Sequence, residues 1–337
     1  MTLKELALLA GVSVSTASRV LNKNDIHAAG KETRERIWEL AQKTKYVPNK
    51  TAQLLHSGEP EQARYALACI FARTGSTSTD PFFSQIYQAA RQECLKSRSV
   101  ITDAYTVEQF LQTRKANDVH RWDGILVLGR YTQTLSQELT AKYKNVVCIG
   151  LNPFWDNYDQ VMCSGYSAAR MAVEYLYSLG HREIGYIGEK ETEIRYRGYY
   201  ETMREYKLPL NQALIIESKQ SAEGGCKSAG KFLVNSQRIP TALFCANDIT
   251  AIGVMDAITK AGLSVPGDIS VIGIDDIELC QNTSPLLTSV AIPKEELGRM
   301  GVKVLLDQIK GGHRLPIKVE IPFKLCIRQS CAAPRNT

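Results

Sequence analysis

Two textures of hydrophobic spacing divide the chain. In residues 1–46 apolar positions recur at helical intervals in three short stretches. Thr2 and Glu5 form a capping box ahead of a stripe at Leu6, Leu9 and Ala10. Gly11 breaks that helix. Ser13 can cap a second helix running to about Leu21, and a polar loop, Asn22 to Lys31, follows. A third helix, Glu32 to Thr44, is predicted to bury Ile37, Leu40 and Ala41. Pro48 ends the unit, because the residue before a proline disfavours helix. Asn49 to His56 has helical spacing at Ala52 and Leu55 but is too short to be stable alone. Ser57-Gly58-Glu59-Pro60 reads as a linker.

From Tyr65 onward short apolar runs alternate with longer helical patterns. The runs are Ala66–Phe71, Gly124–Leu128, Val146–Leu151, Ile184–Ile187, Ala242–Cys245 and Ser270–Ile274. Between them lie helical patterns at Phe83–Leu95, Ser167–Leu179, Arg197–Tyr206, Ala222–Val234 and Ile249–Ala261. Buried strands alternating with helices predict parallel sheets covered on both faces. The length suits two such lobes, so the expected fold is a small all-α helix-turn-helix head on an α/β body of two doubly wound lobes.

Charge adds one asymmetry. The net charge is +6, and residues 1–58 hold nine Lys/Arg against five Asp/Glu, so four units of that net charge fall in the first sixth of the chain. A basic head on a near-neutral body suits phosphate binding, although a solvated basic surface would look the same. The nine cysteines are scattered, with no C-x-x-C, and Cys69, Cys148 and Cys245 lie in apolar runs. That pattern predicts reduced thiols in the core, no disulfide framework and no zinc site. No metal or other cofactor is expected. No secretory leader pattern or apolar span is present, which predicts a cytoplasmic protein.

The segment Gly11 to Asn22 carries the clearest chemistry. On a helix starting at Val14, Ala17, Val20 and Leu21 share one face, which would pack on the other two helices. Val14, Ser15, Ser18, Arg19 and Asn22 share the other. That face is short and polar, as entry to a major groove requires. Val14 can meet a thymine methyl, and Ser15 can pair with several bases. Arg19 can bind guanine bidentately, a contact worth ~1–3 kcal/mol of discrimination. Thr16 and Ser18 are placed for phosphates.

Residues 3–56 resemble the lactose/galactose repressor family of bacterial transcriptional regulators. The resemblance lies in the run from Leu3 to Asn22, in Lys31-Glu-Thr-Arg-Glu-Arg-Ile37 and in Tyr46-Val-Pro-Asn49. It continues to about Arg328 through Asp80-Pro-Phe-Phe83, Gly180-His-Arg-Glu-Ile184, Ala246-Asn-Asp248, Ser270-Val-Ile-Gly-Ile-Asp-Asp276 and Pro285-Leu-Leu-Thr288. Within the family the likeness is to repressors of β-galactosidase-type operons. The resemblance implies a helix-turn-helix domain at 1–46 and a hinge helix with linker at 47–60. It implies a periplasmic-binding-protein-like body, with one lobe at 61–161 plus 291–323 and the other at 162–290 plus 324–331. In the hinge, Leu55 matches the family's minor-groove wedge and Ala52 its small neighbour, while Asn49 and Lys50 would hold the flanking backbone. The alternative is that Leu54 and Leu55 dock on the body. The implied partners are a near-palindromic double-stranded operator, a second copy of the chain and a small sugar such as a galactoside; no membrane is implied. Whether the sugar releases or recruits the repressor stays open.

In open α/β sheets ligands sit beyond the carboxyl ends of strands. Arg195, Asn247 and Asp275 follow apolar runs and match the family's effector contacts, and Phe82 or Phe83 could stack on a sugar face. Duller roles are open to each: Asp275 or Asp248 could cap a helix, and Arg195 could pair with Glu191 or Glu193 on the surface. The family's polar positions are replaced by Gly150, Ser164 and Ile292, which puts the sugar's identity in doubt. The apolar pattern of Glu295–Ile309 is one candidate for a subunit contact, with core packing as its alternative. An enzyme is not expected, since the chain has no G-x-G-x-x-G, Walker loop or G-x-S-x-G elbow. A solute-binding or sugar-processing α/β protein without a regulatory role is the alternative.

Overall fold

The computed structural model describes residues 3–23, 28–43, 64–73, 80–113, 122–130, 133–153, 157–236 and 239–335. The chain divides into two compact units, residues 1–65 and 66–337.

The first unit holds helices α1 (Leu3–Leu9), α2 (Val14–Lys23) and α3 (Lys31–Lys43). Leu6, Ala7, Ala10, Ala17, Val20, Ile37 and Ala41 form its core, with Leu40 half-buried beside them. Leu9 is 59% exposed, against expectation. On a helix of 100° per residue, Leu6, Ala7 and Ala10 share a stripe and Leu9 falls to its side. Gly11 ends α1 at φ +63°, a conformation that favours glycine. Ser13 caps α2 as predicted, its Oγ accepting from the Thr16 amide at 3.1 Å. The expected capping residue Thr2 lies outside the described residues.

The second unit contains two six-stranded sheets. One runs β11-β5-β4-β3-β1-β2, from β1 (Tyr65–Phe71), β2 (Ser99–Thr106), β3 (Gly124–Leu128), β4 (Val146–Gly150), β5 (Asp159–Met162) and β11 (Lys318–Glu320). The other runs β12-β10-β9-β8-β6-β7, from β6 (Ile184–Gly188), β7 (Ile215–Glu217), β8 (Ala242–Cys245), β9 (Ser270–Asp275), β10 (Thr288–Ala291) and β12 (Lys324–Cys326). The central pairings are parallel, such as Leu67 with Gly124 and Ile184 with Ala242. β12 is antiparallel to β10 at the edge, a departure from the purely parallel expectation. Strands β1, β3, β4, β6, β8 and β9 are the apolar runs of the sequence, each within a residue or so of its expected end.

Helices α4 (Pro81–Lys96), α5 (Val107–Thr113), α6 (Gln133–Lys142), α7 (Gly165–Ser178), α8 (Ile194–Glu205), α9 (Ala222–Asn235), α10 (Asp248–Lys260) and α11 (Lys294–Ile309) complete the body. The pattern at 295–309, offered above for a subunit contact, packs inside the protomer: Leu297, Gly301, Val304 and Leu305 are buried. A Cβ at Gly298 would lie 2.2 Å from the Ile86 carbonyl of α4, and one at Gly301 would lie 2.2 Å from Ile149 of β4. The chain passes between the sheets three times, after β5, after β10 and after β11.

Candidate ligand cleft and nucleic-acid interface

Residues just beyond the carboxyl ends of strands from both sheets line a narrow cavity of about 20 Å³. From the first sheet come Arg73, Gly129, Arg130, Leu151 and Asn152; from the second come Arg195, Gln220, Asn247 and Asp275; Asp80, Phe82 and Phe83 stand at the start of α4. All five residues expected to touch a ligand are therefore brought together. Phe82 and Phe83 are in edge-to-face contact, ring centroids 5.0 Å apart. The Asp80 carboxylate caps their helix, accepting from the Phe82 and Phe83 amides at 2.9 and 3.3 Å.

Asn247 performs two roles, one of which, capping, the sequence reading offers to its neighbour Asp248. Its Oδ1 caps α10, accepting from the Thr250 amide at 3.1 Å. The amide NH₂ stays available as a donor on a residue that lines the cavity. Asp275 is not a cap. It ends β9 at φ +117°, followed by Asp276 at φ +51°. Among the described residues its buried Oδ1 has no hydrogen-bond partner. Burial pushes this carboxyl well above the ordinary range, against the pull of Arg195. Asp248, beneath it, is not a cap either. Fully buried, it accepts from the Ile277 amide, the Cys280 thiol and the Ser289 hydroxyl, and burial raises it to about 6.

Arg195 does pair with Glu193, but in the interior rather than on the surface. Its Nε and Nη2 donate to the two Glu193 oxygens at 2.8 and 2.9 Å, and Nη2 also donates to Gln220 at 2.9 Å. Burial alone would raise Glu193; the Arg195 guanidinium outweighs it and, with Arg73, holds the carboxyl at about 2. Gln220 closes the triangle, its Nε2 donating to Glu193 at 3.0 Å.

Four lining residues escaped the sequence reading: Arg73, Arg130, Asn152 and Gln220. Arg130 reaches across the cleft to the loop after β6, donating to Glu189 at 2.7 Å, to the Thr192 carbonyl at 2.9 Å and to the Thr192 hydroxyl at 3.1 Å. Thr192 turns that carbonyl with φ +56°. Arg73 Nη2 lies 3.2 Å from Glu189 yet makes no aligned hydrogen bond. Asn152 accepts from the Ile194 amide at 3.2 Å. Arg73 and Arg130 follow apolar runs as Asn247 and Asp275 do, so the same signal points to them; Gln220 carries no such mark. Of the positions where the sequence departs from the family, Gly150 and Ile292 do not line the cavity, and Ser164 caps α7 by accepting from the Ser167 amide at 3.1 Å.

In the head, Val14 is 43% exposed, and Ser15 and Arg19 are exposed, while Ala17 and Val20 are buried beneath them. Thr16 is half-buried, its hydroxyl 2.9 Å from that of Ser13. The side chains of Ser18, Leu21 and Asn22, and the whole of Asn49, Lys50, Ala52 and Leu55, lie outside the described residues. Among the described residues no group of His, Cys, Asp and Glu could hold a metal, and no helix is long and apolar enough to cross a membrane.

A helix-turn-helix unit joined to a two-sheet body with a polar cleft defines a ligand-responsive DNA-binding protein. Residues 2–49 match the bacterial regulatory proteins of the lacI family, and residues 173–331 match the periplasmic binding protein-like domain. The HTH-type transcriptional repressor PurR of Histophilus somni (strain 129Pt) is 31% identical over 98% of both chains. The ribose operon repressor of Haemophilus influenzae is 32% identical over 92% of both, and the transcriptional repressor MelR of Bacillus subtilis is 29% identical over 98% of this chain and 97% of its own. Among solved structures, a CelR–cellobiose complex superimposes with a TM-score of 0.73 at 23% identity, covering 98% of this chain and 99% of the other. The chain belongs to the LacI family. It is a DNA-binding transcriptional repressor of that family, and its relatives are repressors rather than enzymes.

Proposed function

We propose that two copies of the chain repress a sugar-utilisation operon of galactoside type by binding a near-palindromic operator, and that a small sugar in the cleft controls the binding. Val14, Ser15 and Arg19 would read bases, Thr16 and Ser18 would hold phosphates, and Asn22 would complete the face. Asn49, Lys50, Ala52 and Leu55 would form a hinge helix in the minor groove. The sugar would meet Arg195, Asn247 and Asp275, with Phe82 or Phe83 against a ring face. The observation that carries this reading is the buried Oδ1 of Asp275, without a hydrogen-bond partner among the described residues, in the same cavity as the Asn247 amide. A hydroxyl that donates to one and accepts from the other satisfies both, and an uncharged polyol carries several. The cleft arginines support an uncharged ligand, because Arg130 and Arg195 already face Glu189 and Glu193. Relatives point the same way: the CelR structure holds cellobiose, and a LacI-family regulator from Enterococcus faecium holds ribose.

The experiment is a gel shift on DNA upstream of neighbouring genes, with D-galactose, lactose, melibiose, D-ribose and cellobiose. One sugar is expected to change operator affinity. Asp275→Asn is expected to weaken that sugar's effect by about tenfold, as loss of a buried hydrogen bond to the ligand implies, with sugar-free operator affinity unchanged. An undiminished response in Asp275→Asn removes the residue from the site. Operator release identifies an inducer and tighter binding a corepressor.

A further inference from the structure

We propose that Lys294 is the positioning residue for the effector-facing carboxylate of Asp275; this rests on the reading of the cleft given above. β9 ends in two consecutive non-glycine residues in the left-handed region, Asp275 at φ +117° and Asp276 at φ +51°. Such a turn persists only where its surroundings over-determine it. Here it is held from two sides.

Beneath the turn, the Asp276 amide donates to Ser289 Oγ at 3.1 Å, and that hydroxyl donates to Asp248 at 2.7 Å. The next amide, Ile277, donates to the other Asp248 oxygen at 3.0 Å. On the other side stands Lys294. Its ammonium donates to the Asp275 carbonyl at 2.5 Å, the Asp276 carbonyl at 2.9 Å and the Ile292 carbonyl at 3.3 Å. An ammonium has three N–H donors, and three backbone oxygens receive them. A lysine that grips carbonyls in place of a carboxylate fixes backbone direction.

The consequence falls on one side chain. Asp276 is tied to Arg328 at 2.7 Å. Asp275, 4% exposed, lines the cavity, and its Oδ1 has no hydrogen-bond partner among the described residues. With no hydrogen bond to hold that oxygen, its aim follows the backbone from which the side chain springs, so what sets that backbone bears on the affinity of the site. Lys294 also opens α11, on the crossover that leaves β10 for the other lobe. The grip therefore joins the ligand-facing turn to a segment that enters both lobes. With no ammonium, the Asp276 carbonyl loses its donor and the Asp275 carbonyl keeps only the long bond from the Ile292 amide, at 3.4 Å, so the turn can relax toward ordinary φ and swing the carboxylate off its line.

Hydrogen exchange by mass spectrometry on the full, sugar-free chain reads this directly. Lys294→Met keeps the length and removes the donors. It is expected to speed exchange at residues 275–277 and 292 by about tenfold or more, with 242–260 unchanged. It is also expected to weaken binding of whichever of D-galactose, lactose, melibiose, D-ribose and cellobiose the wild type binds by about tenfold, with sugar-free operator affinity unchanged. Lys294→Arg is expected to restore both properties to within about threefold. Equal exchange at 275–277 in wild type and Lys294→Met overturns the proposal, as does faster exchange with full sugar affinity. Asp275→Asn separates the two readings. Full sugar binding in that variant overturns the site itself, whereas lost binding there beside full binding in Lys294→Met overturns only the role of Lys294.

Discussion

Arg195 is only 2% exposed, and an arginine so placed persists only beside a matched anion. Glu193 is that anion, fully buried, and it also caps the helix that carries Arg195. Replacing Glu193 by Gln leaves the guanidinium uncompensated and is expected to lower unfolding free energy by about 3–5 kcal/mol, measured by urea denaturation. The pair also sets an acid limit. Glu193 titrates at about 2 in the folded protein, below its ordinary 4.5. Its contribution is therefore complete above about 4.5 and is lost as the pH falls toward 2. What could be read at this scale was chemistry after an apolar run: Asn247 and Asp275 stand there, and so do Arg73 and Arg130. Glu193 and Gln220 could not be read as a unit, because their meeting depends on a fold that brings residues 193, 195 and 220 to one point.

At the scale of elements, long apolar runs and helical stripes gave six strands and most helices. β5, β7, β10, β11 and β12 escaped, because three or four residues of mixed polarity give too few positions to show a run or an alternation. β2 escaped because its sequence mixes polar and apolar residues, and it lies at a sheet edge. One connection between elements has a pH dependence of its own. His313, between α11 and β11, sits between two carboxylates, 2.7 Å from Asp159 of β5 and 2.7 Å from Asp307 of α11. Hydrogen bonds to Asp307 and Asp159 raise its pKa above the usual 6.5. A raised histidine stabilises fully below about 6.5, and the gain fades as the pH climbs through the folded value. His313→Gln is thus expected to lower Tm clearly at pH 6 and much less at pH 9, a comparison that differential scanning calorimetry can make.

At the scale of the body, the lobes meet through charge at the mouth of the cleft. Arg130 and Arg73 of one lobe face Glu189 and Glu193 of the other, and Asn152 receives the first amide of α8. These contacts favour a closed cleft before any ligand arrives. Arg130→Ala is expected to shift the free body toward an open form, seen as a larger radius of gyration in small-angle scattering. Raising the salt is expected to move the wild type part of the way in the same direction, since Arg130 and Glu189 are partly exposed. Scattering identical for variant and wild type would leave the arginine no part in closure.

The last two crossings between lobes have a consequence for synthesis. The first lobe's sheet is complete only when β11 joins β5, and its helical cover only when α11 settles against α4 and β4. Both segments, at residues 294–320, are made after every strand of the second lobe except the edge strand β12. On the ribosome, the first lobe therefore waits with Ile86, Leu126 and Ile149 uncovered until nearly the entire chain has emerged. Its nascent form presents an apolar groove for the time it takes to translate the second lobe. The protein's exposure to chaperones and to aggregation is thus set by how fast residues 163–293 are made, rather than by anything in the finished cleft.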